Sequence, residues 1–505
     1  VAGAEIPRLD PAPAQTEMSD ADWSALRDAV RDRAKGQLSP VRGLDAVRLA
    51  FEVSLDEGME RERDIFMELK ETDQSKALRH AFFAERAVAK PAALKGATAR
   101  DITRVAIVGG GLMGSGIATA ALGAGLTVTI IEQTMEAADQ AKVRVAGNLD
   151  SGVRKGRMTE EQRDALLSKL RVTNSYHGAT DADLCIEAVF EDGDTKRAVF
   201  EALAEIVSVE TILATNTSYI DPMSFTAGIE NQSRIMGLHF FSPAHIMRLV
   251  EVVRTPQTAP DVLATGFALA KKMRKVAVLS GVCDGFIGNR ILGAYGRMAG
   301  YLLEDGASPQ QIDSAMKQFG MPMGPFEMFD MAGLQIGYAN RKREAASRPE
   351  DQRYSRIPDL IVEKGWLGQK TQQGYYRYEK SSRVAIPSDE IEQMLTEERA
   401  AQELTVRTIW DEEIVAGLQA VQVNEAAMIL AEGVAERPLD IDVVKLMGYG
   451  YPRWRGGPMM EADRIGTDRV LATMERIAEA DPGSWSVAPL LRRLGTDATP
   501  FASLN

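Results

Sequence analysis

Apolar and polar positions change their rhythm twice along this chain. Between Ser19 and Ala89 apolar residues recur every three or four positions among charged ones, the period of amphipathic helices. The spacing predicts helices over 20–33 (with Ser19 placed to cap it), 44–55, 59–70 and 75–89. Residues 1–20, rich in Pro, Ala and Asp, read as an extended or poorly ordered lead-in, and Lys90-Pro-Ala-Ala-Leu-Lys-Gly96 reads as a linker. From 102 to about 282 short β-branched runs alternate with helical text, and strands are expected at 105–108, 127–131, 184–188, 211–215, 235–239 and 276–279, with 249–254 a further candidate. That alternation means a parallel sheet with helices on both faces. After Gly285 the pattern is helical to the end.

The helical stretch contains a repeat. Asn289-Arg-Ile-Leu, Gly306, Ile312-Asp313 and Gly324-Pro325 are answered in order by Asn424-Glu-Ala-Ala, Gly433, Ile441-Asp442 and Gly457-Pro458. Ordered matches of this kind point to duplication of one all-helical domain. The chain therefore divides into an N-terminal helical and linker segment (1–100), an α/β domain (101–282), a first helical domain (283–385) and a second (386–505).

The α/β domain opens on Ile102-Thr-Arg-Val-Ala-Ile-Val108, then Gly109-Gly-Gly111-Leu112-Met113-Gly114, a small-residue helix, and a second strand ending at Glu132. Gly109, Gly111 and Gly114 fit G-x-G-x-x-G in its required context of strand, turn and helix, with the acid at the next strand end. The first glycine makes the turn, the second lets backbone approach a pyrophosphate, and the third lets helix and strand pack closely. The free N–H groups and positive dipole end of the helix then face the phosphates.

Bulk properties narrow the class. A chain of 505 residues suggests three or four domains at ~150 residues each. Its 45% apolar and 26% charged content describes a globular protein with full cores. The net charge of −13 argues against a nucleic-acid surface, although a local basic patch would suffice for an anionic small ligand. Cys185 and Cys283 are the only cysteines, so no disulfide framework and no metal site is expected, and a reducing compartment is. No uninterrupted run of ~18 apolar residues exists, so no membrane span is expected. The start, Val1-Ala-Gly-Ala-Glu-Ile-Pro, lacks the features of a signal peptide and an initiator Met, and reads as processed or excised from something longer.

Four histidines are present. His80 lies on a charged helix and His177 in a turn, and both read as solvated. His239 ends an apolar strand, and ligands of open α/β sheets bind outside the carboxyl ends of strands. Glu251, in Arg248-Leu-Val-Glu-Val-Val, is a carboxylate among apolar neighbours and needs a partner. A His–Glu pair would fix the imidazole tautomer and make it a better base. Equally, His239 could be a satisfied core histidine and Glu251 an edge-strand carboxylate. His245 competes for the base but has no obvious acid. Ser218, closing Thr215-Asn216-Thr217-Ser218, either hydrogen-bonds a bound hydroxyl or caps the next helix. Asn289 starts a helix at the junction between domain types, a common place for a cleft. Glu187 and Glu191 read most simply as solvated loop acids, with reach toward a ribose or nicotinamide.

Taken together, Val-Gly-Gly-Gly-Leu-Met-Gly-Ser-Gly-Ile-Ala, Ala214-Thr-Asn-Thr-Ser218, His239-Phe-Phe-Ser-Pro with Leu-Val-Glu251-Val, Asp284-Gly-Phe-Ile-Gly-Asn289-Arg, and the Gly-Gln-Lys-Thr…Gly-Tyr-Tyr-Arg-Tyr block resemble L-3-hydroxyacyl-CoA dehydrogenase. The duplicated helical domain and the helices ahead of the glycine strand resemble the multifunctional β-oxidation enzymes, over about residues 40–466. The resemblance implies a Rossmann-type NAD-binding domain followed by two homologous helical domains. It also implies that residues 20–95 trail a crotonase-type hydratase domain whose own motifs are missing here, so no hydratase activity is assigned. It makes His239 the base, Glu251 its orienting acid, and Ser218 and Asn289 the groups bonding the reacting oxygen. Gly109, Gly111, Leu112, Met113, Gly114, Glu132, Ala188, Glu191, Lys196, Asn216 and Ser218 fall on NAD positions. Ser242 stands where the family often has Asn, and Leu112 replaces a common Thr or Met. Glu132 should bind both ribose hydroxyls and repel a 2′-phosphate, favouring NAD over NADP.

The implied substrate is an acyl-CoA thioester. The implied assembly is a monomer, with the second helical domain covering the face that the short form buries in a dimer. The expected location is a bacterial cytoplasm or an equivalent reducing compartment. Two competing readings are a dehydrogenase of free β-hydroxy acids with a Lys-based site and a non-catalytic module retaining the fold. Turnover on thioesters separates the three.

Overall fold

The computed structural model describes residues 12–505; for residues 1–11 the extended reading of the chain start lies outside the described residues. One eight-stranded sheet sets the architecture, in the order β3-β2-β1-β4-β5-β6-β7-β8. The strands are β1 Arg104–Val108, β2 Thr127–Ile131, β3 Leu170–Thr173, β4 Leu184–Glu187, β5 Ile212–Thr215, β6 Ile235–Phe240, β7 Leu249–Val253 and β8 Val276–Ser280. β1 to β6 run parallel, whereas β7 is antiparallel to β6 and parallel to β8. The purely parallel sheet expected from the alternation is therefore corrected at its last two strands. Helices cover both faces, so most strands are buried on both sides and read as continuous apolar runs. β3 escaped the sequence reading because it is a four-residue edge strand, half exposed, with only Leu170 and Val172 apolar. The order reverses direction between β1 and β4, which opens the crevice where such folds bind ligands.

Four helices precede the sheet: Asp20–Ala34, Leu38–Glu52, Leu55–Glu71 and Asp73–Ala87. Ser19 does cap the first, in a reciprocal capping box with Asp22. The second begins well before the expected residue 44 because Pro40 lies in its first turn, where the N–H that proline lacks would have had no helical partner. Leu38–Glu52 and Leu55–Glu71 bury no residue, while Asp73–Ala87 buries Ala77, Ala81 and Ala84. On that last helix His80 is not solvated as expected: its Nε2 lies 2.8 Å from the buried Asp442 carboxylate.

Past β8 the chain is helical, except over 365–388, where isolated bridges (Gly368 to Gln373, Gln373 to Arg377, Arg377 to Ile386) replace the expected helix. This loop wraps Asp330, whose carboxylate accepts the N–H groups of Tyr375 and Tyr376 and the hydroxyl of Tyr378, each at 2.9 Å. Three donors on one buried acid fix the loop without regular structure, although burial still pushes its pKa up to about 6.

Two helix starts in this region share a device. Asp313, on helix Pro309–Phe319, accepts the N–H groups of Phe326 and Glu327 at 3.0 and 2.9 Å, at the start of helix Pro325–Ala332. Asp442, on helix Pro438–Gly448, accepts the Met459 N–H at 2.8 Å, at the start of helix Pro458–Ile465. Unpaired N–H groups and the helix dipole favour a carboxylate there, against burial, which pushes the Asp442 pKa up and that of Asp313 up to about 7. The glycine before each proline makes room: a Cβ on Gly324 would lie 2.2 Å from Asp313 Oδ1, and one on Gly457 2.3 Å from Asp442 Oδ1. The long helices of the two halves, Gly288–Asp305 and Asp411–Ala431, pack together, and Arg290 Nε donates to Glu425 Oε1 at 2.7 Å between them. Asp411–Ala431 is the one described helix long and apolar enough to cross a membrane, but it is largely buried inside the protein's own core, which accounts for its composition.

Candidate active site

The glycine turn carries three separate constraints. Gly109 is at φ +96°, a conformation that side chains rarely adopt, and a Cβ there would meet the Ala188 carbonyl oxygen at 2.6 Å. A Cβ on Gly114 would sit 1.8 Å from the Gly109 carbonyl oxygen, so helix Leu112–Gly123 can approach β1 only with glycine at this point. Gly111, the helix N-cap, has nothing within 4 Å of a Cβ position, leaving its backbone open to a ligand. Leu112 and Met113 start the helix, Leu112 with 71% of its surface exposed over this opening. Glu132 lies at the end of β2, and its carboxylate accepts the Gly110 N–H at 2.7 Å. An open helix N-terminus, close-packed glycines and an acid at the second strand end fit a dinucleotide.

The strand ends β4 and β5 hold a buried charge network that sequence reading misjudged. Glu187 is not a solvated loop acid; it is fully buried at the end of β4. Its Oε1 accepts from Lys196 Nζ and the Val189 N–H, both at 2.8 Å, and its Oε2 accepts the Thr215 hydroxyl at 2.6 Å. Lys196, 1% exposed, also pairs with Glu191 at 3.1 Å. Glu191 accepts the Thr217 hydroxyl at 2.5 Å and the Ser218 N–H at 2.8 Å. Burial pushes the Glu191 carboxyl up, but Lys196 and these hydrogen bonds outweigh it and hold the acid ionised below its usual range. Glu191 therefore fixes the chain at Thr217–Ser218, and Lys196 acts through Glu191 and Glu187. Nothing about a single acid after Leu184-Cys-Ile announced this; the signal is an acid closing an apolar strand with a lysine on the following helix.

The antiparallel β6–β7 pairing places His239 directly opposite Glu251. His239 is 3% exposed and Glu251 0%. The Nδ1 of His239 lies 2.7 Å from Glu251 Oε2, and the other carboxylate oxygen accepts the Gly288 N–H at 2.9 Å. On the cleft side, His239 Nε2 is 3.2 Å from Ser218 Oγ. A carboxylate can only accept from the imidazole, so the proton sits on Nδ1 and Nε2 is left as the acceptor facing Ser218. The imidazole packs against Phe241 and Phe286, with ring centroids 4.5 and 5.6 Å away. Phe286 holds φ +49°, a left-handed conformation costing a bulky residue about 1–3 kcal/mol.

Ser218 is not the cap of the next helix, which is Asp221. Asn216 uses Oδ1 to accept the Phe240 N–H at 2.9 Å, tying the end of β5 to β6. Asn289 lies in the first turn of helix Gly288–Asp305, next to the Gly288 that bonds Glu251, and its Oδ1 accepts the Tyr449 hydroxyl at 2.8 Å. Tyr449 follows helix Pro438–Gly448 and was not foreseen as part of the site. His245, half-buried beyond Pro243, has Nδ1 without a partner, and burial, Lys275 and Lys155 push its pKa down. Ser242 is exposed. A cavity of about 470 Å³ is lined by Tyr219, Ile220, Asp221, Val282, Cys283, Asp284 and Arg343. Burial pushes the Cys283 thiol up to about 11, so it is no thiolate nucleophile at neutral pH.

Comparisons with known proteins identify the family. Residues 104–283 match the family profile described as 3-hydroxyacyl-CoA dehydrogenase, NAD binding domain, and residues 285–378 match 3-hydroxyacyl-CoA dehydrogenase, C-terminal domain. The "Peroxisomal bifunctional enzyme" of Cavia porcellus is 36% identical over 501 residues, 95% of this chain and 69% of that protein. The "Glyoxysomal fatty acid beta-oxidation multifunctional protein MFP-a" of Brassica napus is 34% identical over 94% of this chain and 66% of its own length. Among solved structures, 3-hydroxybutyryl-CoA dehydrogenase from Escherichia coli K12 superposes with a TM-score of 0.68 at 27% identity, over 79% of this chain and 99% of that one. The fold and site define an NAD-dependent oxidoreductase. The chain belongs to the 3-hydroxyacyl-CoA dehydrogenase family, among relatives that are multifunctional enzymes of fatty-acid β-oxidation. The expectation of a bacterial cytoplasmic protein is overturned, because the matching curated relatives are named as peroxisomal or glyoxysomal proteins.

Proposed function

We propose that this chain oxidises L-3-hydroxyacyl-CoA thioesters to 3-ketoacyl-CoA, with His239 as the base. The observation that carries the reading is the buried line Ser218–His239–Glu251, with bonds of 3.2 and 2.7 Å. Nε2, left basic by the proton on Nδ1, takes the proton of the 3-hydroxyl. Glu251 holds the tautomer and stabilises the imidazolium that forms, and the Gly288 N–H in turn holds Glu251. Ser218 and Asn289 hydrogen-bond the reacting oxygen. Gly109, Gly111, Leu112, Met113, Gly114, Glu132, Ala188, Asn216 and Ser218 would line the NAD site, with Lys196 acting behind Glu191 to set the Thr217–Ser218 backbone. NAD when bound supplies the hydride acceptor; the protein contributes orientation, proton transfer and exclusion of water.

Within this reading, residues 283–385 and 386–505 are homologous helical domains and residues 1–100 a helical connecting segment ahead of the NAD domain. Two features support the duplication: the matching Asp313–Gly324 and Asp442–Gly457 devices, and the contact of Arg290 with Glu425, which occupy corresponding repeat positions. Like positions meet across the axis of a twofold interface. An internal pseudo-dimer of this kind would leave the chain monomeric, and sedimentation at the mass of two chains contradicts that. The chain matches 69% of the length of the Cavia porcellus relative, and the other activities implied by "bifunctional" are not assigned to these residues. The direct test of the function is NADH oxidation with acetoacetyl-CoA. Turnover with the thioester, and none with free 3-hydroxy acids in the reverse direction, is expected; folded protein that binds NADH without turnover contradicts the reading.

A further inference from the structure

The second helical half reaches into the site at one point. Tyr449 is half-buried between the two halves, its ring edge-on to Phe241 at 5.6 Å and beneath Lys445 Nζ at 4.5 Å. Its hydroxyl donates to Asn289 Oδ1 at 2.8 Å, while Asn289 Nδ2 bonds no described residue. Gly288 accommodates this approach, since a Cβ there would lie 2.4 Å from the Tyr449 oxygen. A carboxamide can turn either its acceptor or its donor edge to a cleft, and the two edges differ little in size. Only the donor edge can bond a carbonyl oxygen or take the lone pair of a hydroxyl. In the structure the Tyr449 hydroxyl holds the acceptor edge, which leaves the donor edge on the opposite side.

We propose that Tyr449 is a positioning residue for the reaction: by donating to Asn289 Oδ1 it turns the Asn289 N–H groups toward the reacting oxygen. This rests on the assignment of Asn289 above. The phenol suits the task because burial, with Glu251 nearby, raises its pKa far above neutrality and keeps it a donor. The second helical half then completes the catalytic cleft as well as covering the first.

The test is a double-mutant cycle on the full chain: wild type, Tyr449→Phe, Asn289→Ala and the double variant. Each is read for kcat and KM with acetoacetyl-CoA and for NADH affinity by fluorescence. Phe keeps the ring contacts. Y449F should lose about tenfold in kcat, as expected for one misplaced donor, with NADH affinity unchanged. In the N289A background the same substitution should cost nothing further. Full activity of Y449F, or an equal loss in both backgrounds, overturns the proposal while leaving Asn289 in place. Wild-type kcat in N289A removes the assignment of Asn289 itself, and the proposal with it. If Y449F is not recovered folded, Tyr449→His read in the same two backgrounds decides, a loss confined to the Asn289 background supporting the proposal.

Discussion

Asn289 and Asn424 answer each other in the ordered sequence matches, yet they are bonded differently. Asn424 is buried with both edges of its amide taken: Nδ2 donates to the Ser486 carbonyl at 2.9 Å and Oδ1 accepts the Ala488 N–H at 2.7 Å. Asn289 has its acceptor edge held by Tyr449, and its donor edge bonds no described residue. The same residue type is satisfied on both edges by backbone in one place and engaged on one edge by a side chain in the other. The Asp–Gly devices, in contrast, are alike in both halves, because both serve to hold a helix start.

The largest effects should come from breaking what the halves share. Gly457→Ala would press a Cβ into Asp442 at φ +114°, so strain and overpacking add, at about 3–5 kcal/mol of stability. Gly324→Ala meets Asp313 as closely but at an ordinary φ, for about 1–3 kcal/mol. Chemical denaturation of both variants checks the order, and equal losses would show that backbone strain is unimportant at Gly457.

Exchanging the roles of the two asparagines comes next. Asn289→Ala should lower kcat about 100-fold, equivalent to about 2.7 kcal/mol, with little change in stability. Asn424→Ala should leave kcat per folded molecule intact and cost about 2 kcal/mol, since a backbone N–H and a carbonyl lose their partners. A catalytic defect in N424A without loss of stability would erase the distinction.

The smallest effect concerns Lys445, 2% exposed, whose pKa burial pushes down to about 7. A depressed lysine pKa means that folding disfavours the ammonium. The stability it contributes is present in full above the unfolded value of 10.5 and is lost as pH falls through about 7. Lys445→Met should therefore gain stability relative to wild type, by about 1 kcal/mol or more, with a larger gain at pH 7 than at pH 10. A gain independent of pH would show that the ammonium is not disfavoured by folding.

How much of this was legible in the sequence followed the range of each interaction. The strands were readable because sheets covered on both faces demand unbroken apolar runs, and edge strand β3, which has no such demand, was missed. The glycine turn was readable from its spacing between strand and helix, although the Gly109 position is also closed by the distant Ala188 carbonyl. The polarity of His239 and Glu251 among apolar neighbours suggested a pair but left a core reading equally open, and the antiparallel register of β6 and β7 sets them face to face. Glu187 was misread because the lysine that neutralises it comes from the next helix. The Tyr449–Asn289 and His80–Asp442 contacts were beyond local reading. They join residues far apart along the chain, and no nearby residue pattern encodes those meetings.

The most direct measurement of the central claim is the activity of His239→Gln beside its NADH affinity. Glutamine can still bond Glu251 but cannot take up a proton at cleft-side pH. The account predicts a loss of at least about 100-fold in acetoacetyl-CoA reduction with NADH binding unchanged. Activity within a few-fold of wild type, with NADH still bound, would contradict it.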